Sequence, residues 1–323
     1  MRNTQKQRPI RDWRGRARDA AIGVLIGLSV GTSAVANPQG PQVVHGQANF
    51  ARPDGSTLNI TNSPNAIINW QSFGVGTHET TRFIQQSSSS AVLNRVTGGA
   101  ASQIFGQLQS NGRVFLINPQ GIVFGPNATV DTAGLIASTL DIANEDFLAG
   151  RLSFTGSSDS GALDNQGFIK AGPDGSVFLI APNIRNSGIV QTDGGRLVLV
   201  AGEQVRLVSL DSAELSYVVQ APEHEVVNLG ALLTGGGAAS VFAGTLRQHG
   251  EVNANAVVRD AAGNIQLVAR RDVELGEGSK TSANGPNAGT IRVDAREGAA
   301  VVSGEIEAVG AEGTGGNIDV FGE

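Results

Sequence analysis

Asn165-Gln-Gly-Phe-Ile-Lys-Ala-Gly-Pro-Asp-Gly-Ser-Val-Phe-Leu-Ile-Ala181 and Asn186-Ser-Gly-Ile-Val-Gln-Thr-Asp-Gly-Gly-Arg-Leu-Val-Leu-Val-Ala201 are two passes through one pattern. Each opens on Asn-x-Gly and a short β-prone run, turns through Gly, and closes on an apolar run ending in Ala. The opening unit returns as Gln248-His-Gly-Glu-Val-Asn-Ala254 and Val302-Ser-Gly-Glu-Ile-Glu-Ala308. The closing unit returns as Gly263-Asn-Ile-Gln-Leu-Val-Ala269, Gly289-Thr-Ile-Arg-Val-Asp-Ala295 and Gly316-Asn-Ile-Asp-Val-Phe-Gly322. A period of ~20 to 27 residues with two or three short strands per repeat marks a coiled solenoid. One pass cannot bury its apolar side alone, but stacked passes share a core. Each strand then pairs in parallel with its counterpart in the next rung, and Val, Ile, Leu and Phe form ladders along the axis. A propeller would need blades of about 40 to 50 residues with four strands, and a sandwich would not repeat this way. The pattern predicts an all-β chain folded as a parallel β-helix.

Upstream, in Gln107 to Leu140, Val114-Phe-Leu-Ile117 and Ile122-Val-Phe124 flank the turn Asn118-Pro119-Gln120-Gly121. Asn at the first position bonds its own backbone, Pro at the second presets φ, and Gly at the fourth completes the preferences of a type I β-turn. Neither flank alternates polar with apolar, so both are expected in buried, stacked surroundings. Asn118 is expected at an exposed corner, with Asn186 its counterpart at an ordinary one.

Asn94-Arg-Val-Thr97, Asn111-Gly-Arg-Val-Phe-Leu-Ile-Asn-Pro-Gln-Gly-Ile122 and Ala137-Ser-Thr-Leu-Asp-Ile142 resemble the secretion domain of two-partner-secretion exoproteins. These are the filamentous haemagglutinin family, with its haemagglutination activity domain, and the likeness is strongest to the high-molecular-weight adhesin branch. It continues through Ala221-Pro-Glu-His-Glu-Val-Val-Asn-Leu-Gly230 and Ala262-Gly-Asn-Ile-Gln-Leu-Val-Ala269, and so covers nearly all of the chain after residue 40. The resemblance implies a right-handed coil with an N-terminal cap, here about Val43 to Ile60, and extrahelical β elements. It also implies export through a dedicated outer-membrane pore protein with periplasmic recognition modules. The corresponding turn, here Asn118, Pro119, Gln120 and Gly121, is implied in recognition by that pore or in folding after passage. The family has Asn where Gln120 stands, but the third position of a type I turn tolerates most residues. The implied role is adhesion or haemagglutination through a host-cell or cell-surface receptor. Cytolysins and contact-dependent growth-inhibition exoproteins share the domain and act through regions beyond it.

Residues 1–18 hold seven basic residues against Asp12, and the apolar run Ala20 to Val30 follows, with Ala34-Val-Ala36 after it. Basic region, apolar core too short to span a bilayer, and small-residue site in that order predict an export signal over 1–36, cleaved between Ala36 and Asn37. The secretion domain is expected over 37–275 and further coil repeats over 276–323. Gly315 to Glu323 begins another pass without the polar unit that closes a solenoid, so a chain continuing beyond Glu323 is expected. The expected location is the medium or cell surface of a Gram-negative bacterium, reached through the periplasm, with membrane contact only during export.

Seven of the 23 basic and two of the 29 acidic residues precede residue 37, which leaves the remainder at −11. That balance gives no electrostatic footprint for nucleic acid or anionic lipid. The chain has no cysteine, so its stability must come from burial and backbone pairing.

Candidate chemistry is sparse. His45, His78, His224 and His249 fit no zinc-ligand spacing, and no metal or other cofactor is expected. Glu223-His224-Glu225 is the one local cluster, and three adjacent residues cannot all face one point. A polysaccharide-acting β-helix would align carboxylates from neighbouring rungs, but the matched positions here are Lys170, Gln191, Asn253 and Glu307. The chain is therefore read as no enzyme. Asp141 to Gly150 is predicted as a short helix, with Asn144 as N-cap and Gly150 as stop. Thr77 to Ser90 and Ser209 to Leu233 show no clean repeat and are expected as strands or loops covering the coil.

Overall fold

The computed structural model describes residues 37–157, 159–210, 215–219, 223–257 and 263–323. The expected export signal, Met1 to Ala36, lies outside them, while Asn37 lies within.

Short strands separated by glycine-bearing corners wind into a parallel β-helix whose rungs stack as three long sheets. The first sheet runs from Ala66–Trp70 through Arg113–Ile117, Val177–Ala181 and Arg196–Ala201 to Asn317–Phe321. The second runs from Thr57–Asn62 through Phe168–Pro173 to Glu305–Glu307, and the third from Ser102–Ile104 through Ile184–Asn186 to Ala300–Val302. Pairing follows the register that the repeats predict: Ala181 opposite Ala201, Asn165 opposite Asn186, and Ala269 opposite Ala295.

Three columns of residues explain why the repeats look as they do. Gly167, Gly188, Gly230 and Gly250 stack at one corner, and a Cβ on Gly230 would lie 2.0 Å from the Gly188 carbonyl oxygen. Gly175, Gly195 and Gly237 stack at another, where a Cβ on Gly195 would lie 1.8 Å from the Gly175 oxygen. Rungs approach there through bare backbone, so only glycine fits. Beside the first column, Asn165 Nδ2 donates to Asn186 Oδ1 (2.7 Å), Asn186 Nδ2 to Asn228 Oδ1 (2.7 Å) and Asn228 Nδ2 to Gln248 Oε1 (2.6 Å). All four side chains are buried, and the chain of amides satisfies them inside an apolar coil. Asn186 is therefore no ordinary corner.

The interior is one continuous apolar cluster from Leu58 to Ala295. A second cluster lies on the outer face of the first sheet and holds Ile67, Leu93, Phe115, Ile117, Phe178 and Val198. Apolar residues on both faces account for the unalternating run Val114-Phe-Leu-Ile117. The outer face is sealed by two insertions, which fall between successive strands of the first sheet. Among the described residues they supply four short strands, Asp141–Ile142, Ser153–Thr155, Gln204–Leu207 and Leu215–Val219, paired antiparallel in that order.

Several expectations need correction. Thr80–Ile84 is a rung strand pairing in parallel with Thr57–Asn62, its inward positions being Thr81 and Phe83 where other rungs have aliphatics. Among the described residues of Ser209 to Leu233, Leu215–Val219 is the strand that joins the cover, and Leu210 packs against the same cluster. Glu225–Asn228 and Ala231–Leu233 are rung strands whose spacing the second insertion hides. The cap is shorter than expected: Gln42–His45 and Ala48–Ala51 pair antiparallel with the coil, whereas Thr57 to Ile60 already belong to the first rung. Phe50 of the cap meets Trp70 edge-on at 5.6 Å. The helix spans Asn144–Leu148 with Glu145 and Asp146 in its first turn, and Gly150 (φ 69°) follows it. Its N-cap position is Ala143, without a side-chain cap, because the Asn144 carboxamide is engaged by Arg95 instead.

Gly230→Ala should cost about 2 kcal/mol or more by forcing rungs apart, whereas Gly99→Ala, with nothing within 4 Å, should stay within about 0.5 kcal/mol. Denaturation midpoints of the two variants check this; equal midpoints would mean that the stacked corner tolerates a side chain. Asn186→Leu strands two buried amides and should cost about 2 to 4 kcal/mol by the same measurement, against little for the half-exposed Gln191→Ala.

Candidate functional site

The sequence motifs of residues 94–142 gather around the first rungs. Asn118 closes the strand Arg113–Ile117 and starts the corner into Ile122–Phe124. Its Oδ1 accepts from the Gln120 N–H (2.9 Å) and its carbonyl from the Gly121 N–H (3.1 Å), so the side chain and backbone together fix a four-residue turn. Gly121 takes φ 117°, a left-handed backbone that favours glycine. Pro119 is half-buried and Gln120 exposed, which is why Gln is accommodated at a position the turn geometry does not constrain.

The turn presents Gln120 to solvent but is anchored from within. Asn118 is fully buried, correcting the expectation of an exposed corner. Its Nδ2 donates backward to the Ala100 carbonyl and to Ser102 Oγ, both at 3.0 Å, and its N–H donates forward to the Ser138 carbonyl at 2.9 Å. The Pro119 carbonyl accepts from Gly161 N–H at 2.8 Å. One residue thus ties its own rung to the one before and the one after. A Cβ on Gly161 would lie 2.5 Å from the Gln120 carbonyl carbon, so that neighbouring corner must be glycine as well.

The other motif residues do related work. Trp70 Nε1 donates to buried Asn94 Oδ1 at 3.0 Å, Asn94 Nδ2 reaches the Phe115 carbonyl at 3.3 Å, and Thr97 Oγ1 donates to the Trp70 carbonyl at 3.1 Å. Asn111 and Gln85 exchange two bonds, Gln85 N–H to Asn111 Oδ1 (2.7 Å) and Asn111 Nδ2 to the Gln85 carbonyl (2.8 Å). Ser138 Oγ accepts from Leu140 N–H (2.9 Å) and donates to its carbonyl (2.8 Å), bending the chain out toward the cover. Apart from the bonds inside the turn, these motif contacts join neighbouring rungs or lead into the insertions.

At the other end of the expected cleavage point, Asn37 is buried, donates Nδ2 to the Ser56 carbonyl (2.9 Å) and accepts from Thr81 Oγ1 (2.8 Å). Asp54 holds the same corner through Ser56 and Thr57, and those donors draw its carboxyl below the ordinary range. The Asn37 contacts, like the buried network at Asn94, are not legible in the sequence, because their partners lie 19 to 44 residues away.

The three residues Glu223, His224 and Glu225 have different surroundings. Glu223 is exposed, Glu225 pairs with Arg247, and His224 is buried with Nε2 3.3 Å from Glu203. In the second sheet, Lys170 stands opposite Gln191, and the positions matched to them carry Leu233, Asn253, Ser282 and Glu307 in register. Among the described residues, no three His, Asp or Glu side chains are grouped to hold a metal ion.

Comparison with known proteins agrees with this geometry. The TPS secretion domain family matches residues 34–293. The chain superposes on the HMW1 secretion domain from Haemophilus influenzae with a TM-score of 0.76 and 36% identity, over 88% of this chain and 74% of that one. It superposes on the filamentous hemagglutinin secretion domain with a TM-score of 0.56 and 15% identity, over 87% of this chain and 100% of that one, a likeness of fold. Two heme/hemopexin-binding proteins of Haemophilus influenzae are 32% and 37% identical over 54% and 32% of this chain. The matched regions are 20% and 11% of those relatives' own lengths. With four-fifths of its residues inside the family match and a β-helix throughout, the chain belongs to the family of TPS secretion domains, the export domains of two-partner-secretion exoproteins.

Proposed function

We propose that this domain directs an adhesin-like exoprotein through its cognate outer-membrane transporter by folding, first rung first, as the chain emerges outside. The observation that carries this reading is the buried Asn118 turn, which binds three successive rungs within the first third of the coil. A rung without its neighbours exposes unpaired backbone, so a residue that fastens three of them lowers the cost of starting the stack. In this reading Asn118, Pro119, Gln120 and Gly121 act on secretion through folding. Residues 1–36 act as a signal cleaved between Ala36 and Asn37, the periplasm is the route, and the pore's periplasmic modules receive the unfolded chain. A host-cell or cell-surface receptor is the partner of the whole exoprotein. The names of the curated relatives favour a second reading of that activity, in which heme/hemopexin is bound; retention of the secreted exoprotein on immobilised hemopexin separates it from adhesion to cells.

Co-expression of residues 1–323 with and without the cognate transporter tests the export reading. Transporter-dependent appearance in the medium, with a mature N-terminus at Asn37, is expected; equal appearance in both cases would refute it. Asn186→Ala is the control for the turn, since both asparagines are buried and make several side-chain bonds. Each variant should lose about 2 to 4 kcal/mol by chemical denaturation, because each strands buried partners. Secreted yield of Asn118→Ala should nevertheless fall at least about tenfold below that of Asn186→Ala, since the early rungs must nucleate before later ones can stack. Equal yields at equal stability would reduce Asn118 to one structural amide among many. Pro119→Ala should loosen the turn by only about 0.4 to 1 kcal/mol, acting through the unfolded chain.

A further inference from the structure

We propose that Arg95 is a latch that fastens the cover onto the coil, and that covering is a step separable from the stacking of rungs. Arg95 lies on the rung strand Ala91–Val96, and its side chain is 14% exposed. Its Nε donates to Asp141 Oδ1 (2.7 Å), its Nη1 to Asn144 Oδ1 (2.7 Å) and its Nη2 to the Ile142 carbonyl. Those acceptors lie 46 to 49 residues further on, where the first insertion leaves the coil. The Arg fork is matched to this triad, with Asp141 preorganised by its own Oδ1 accepting the Ile142 N–H at 2.8 Å. A lysine in its place presents a single point charge.

What the latch secures is an apolar seal. Ile67, Leu93, Phe115, Ile117 and Ile136 form the part of the outer strip that the early rungs supply, and Phe147, Phe154 and Val205 of the insertions belong to the same cluster. The Phe115 and Phe147 rings meet edge-on at 5.1 Å. This outer cluster shares no residue with the interior cluster, from which the first sheet separates it. Lifting the cover therefore exposes the strip without opening the coil. The strip residues from Ile67 to Ile136 all precede Asp141 in sequence, as does Arg95. In a chain delivered N-terminus first, the early rungs stand stacked with a bare strip and an unpaired Arg95 until residues 141–207 arrive. That timing rests on the proposed export reading; the latch itself does not.

The test compares Arg95→Ala, Arg95→Lys and Asp141→Asn in the purified, full chain by hydrogen exchange. Exchange in Ser153–Thr155 and Gln204–Leu207 should rise about tenfold or more in Arg95→Ala, less in Arg95→Lys, while Val177–Ala181 stays protected as in the wild type. The double variant Arg95→Ala/Asp141→Asn should add little to Arg95→Ala, since both remove one interaction. Equal loss of protection in cover and coil, or no loss in the cover, would overturn the latch, and Arg95→Lys decides the same question should Arg95→Ala fail to fold. Secreted yield with the transporter tests the timing independently. A fall of about threefold or more for Arg95→Ala, with a coil still protected in the purified variant, is expected if an uncovered strip hinders folding outside the pore; a wild-type yield from a variant with an open cover would refute the timing and leave the latch standing.

Discussion

Rungs of a parallel β-coil stand one strand spacing apart, about 4.7 to 4.9 Å, and every residue faces the residue above and below it at that distance. Most features of this chain follow from that repeat. A column must hold side chains that tolerate their own kind: aliphatics in the interior, carboxamides that donate upward and accept downward in the Asn165 to Gln248 ladder, and nothing at all where Gly188 meets Gly167. Like charges would stack badly by the same logic, and on the second sheet Glu251, Lys280 and Glu305 stand in register with alternating sign across three rungs.

That constraint also decides what a sequence of this kind reveals. The columns write themselves as repeats, so the coil, its register and the Asn-x-Gly corners are readable from residues 165–201 and their echoes. The same columns conceal whatever interrupts them. Thr80–Ile84 escapes the pattern because Thr81 and Phe83 replace the usual inward aliphatics, and Glu225 to Leu233 because an insertion of about twenty residues breaks the count before it. Asn118 is recognisable as a turn residue, but its burial is not. Turn chemistry is local and legible, whereas the Ala100 and Ser102 acceptors that bury it come from the preceding rung. Arg95 gives no local sign of its role, since all three of its acceptors belong to another part of the chain.

Burial on both faces of the first sheet sets this domain apart from a plain solenoid. A sheet with a wet outer face would alternate, and Val114 to Ile117 does not. Such a strip cannot be left to solvent in a finished protein without inviting association, and the two insertions answer it with a small antiparallel sheet and a one-turn helix. The insertions cooperate: Ser153–Thr155 of the first pairs with Gln204–Leu207 of the second, so neither covers the strip without the other. The apolar seal is consequently the most non-local part of the fold, joining residues 67 to 268 around a coil whose other contacts run only to the next rung.

Locality bears directly on how such a chain can be exported. A fold assembled from neighbouring rungs closes no long loop, so each rung can form as soon as its residues are available and the entropy of closure stays small. The antiparallel strands Gln42–His45 and Ala48–Ala51 cover the N-terminal end of the coil, and Asn37 and Phe50 fasten this end to Thr81 and Trp70. A start that is capped at once presents only one growing edge. Backbone pairing can then advance from one edge, away from the cap, and the chain, having no cysteine, forms no disulfide. The folded coil is a stack of near-identical steps whose N-terminal end is covered by its own antiparallel strands.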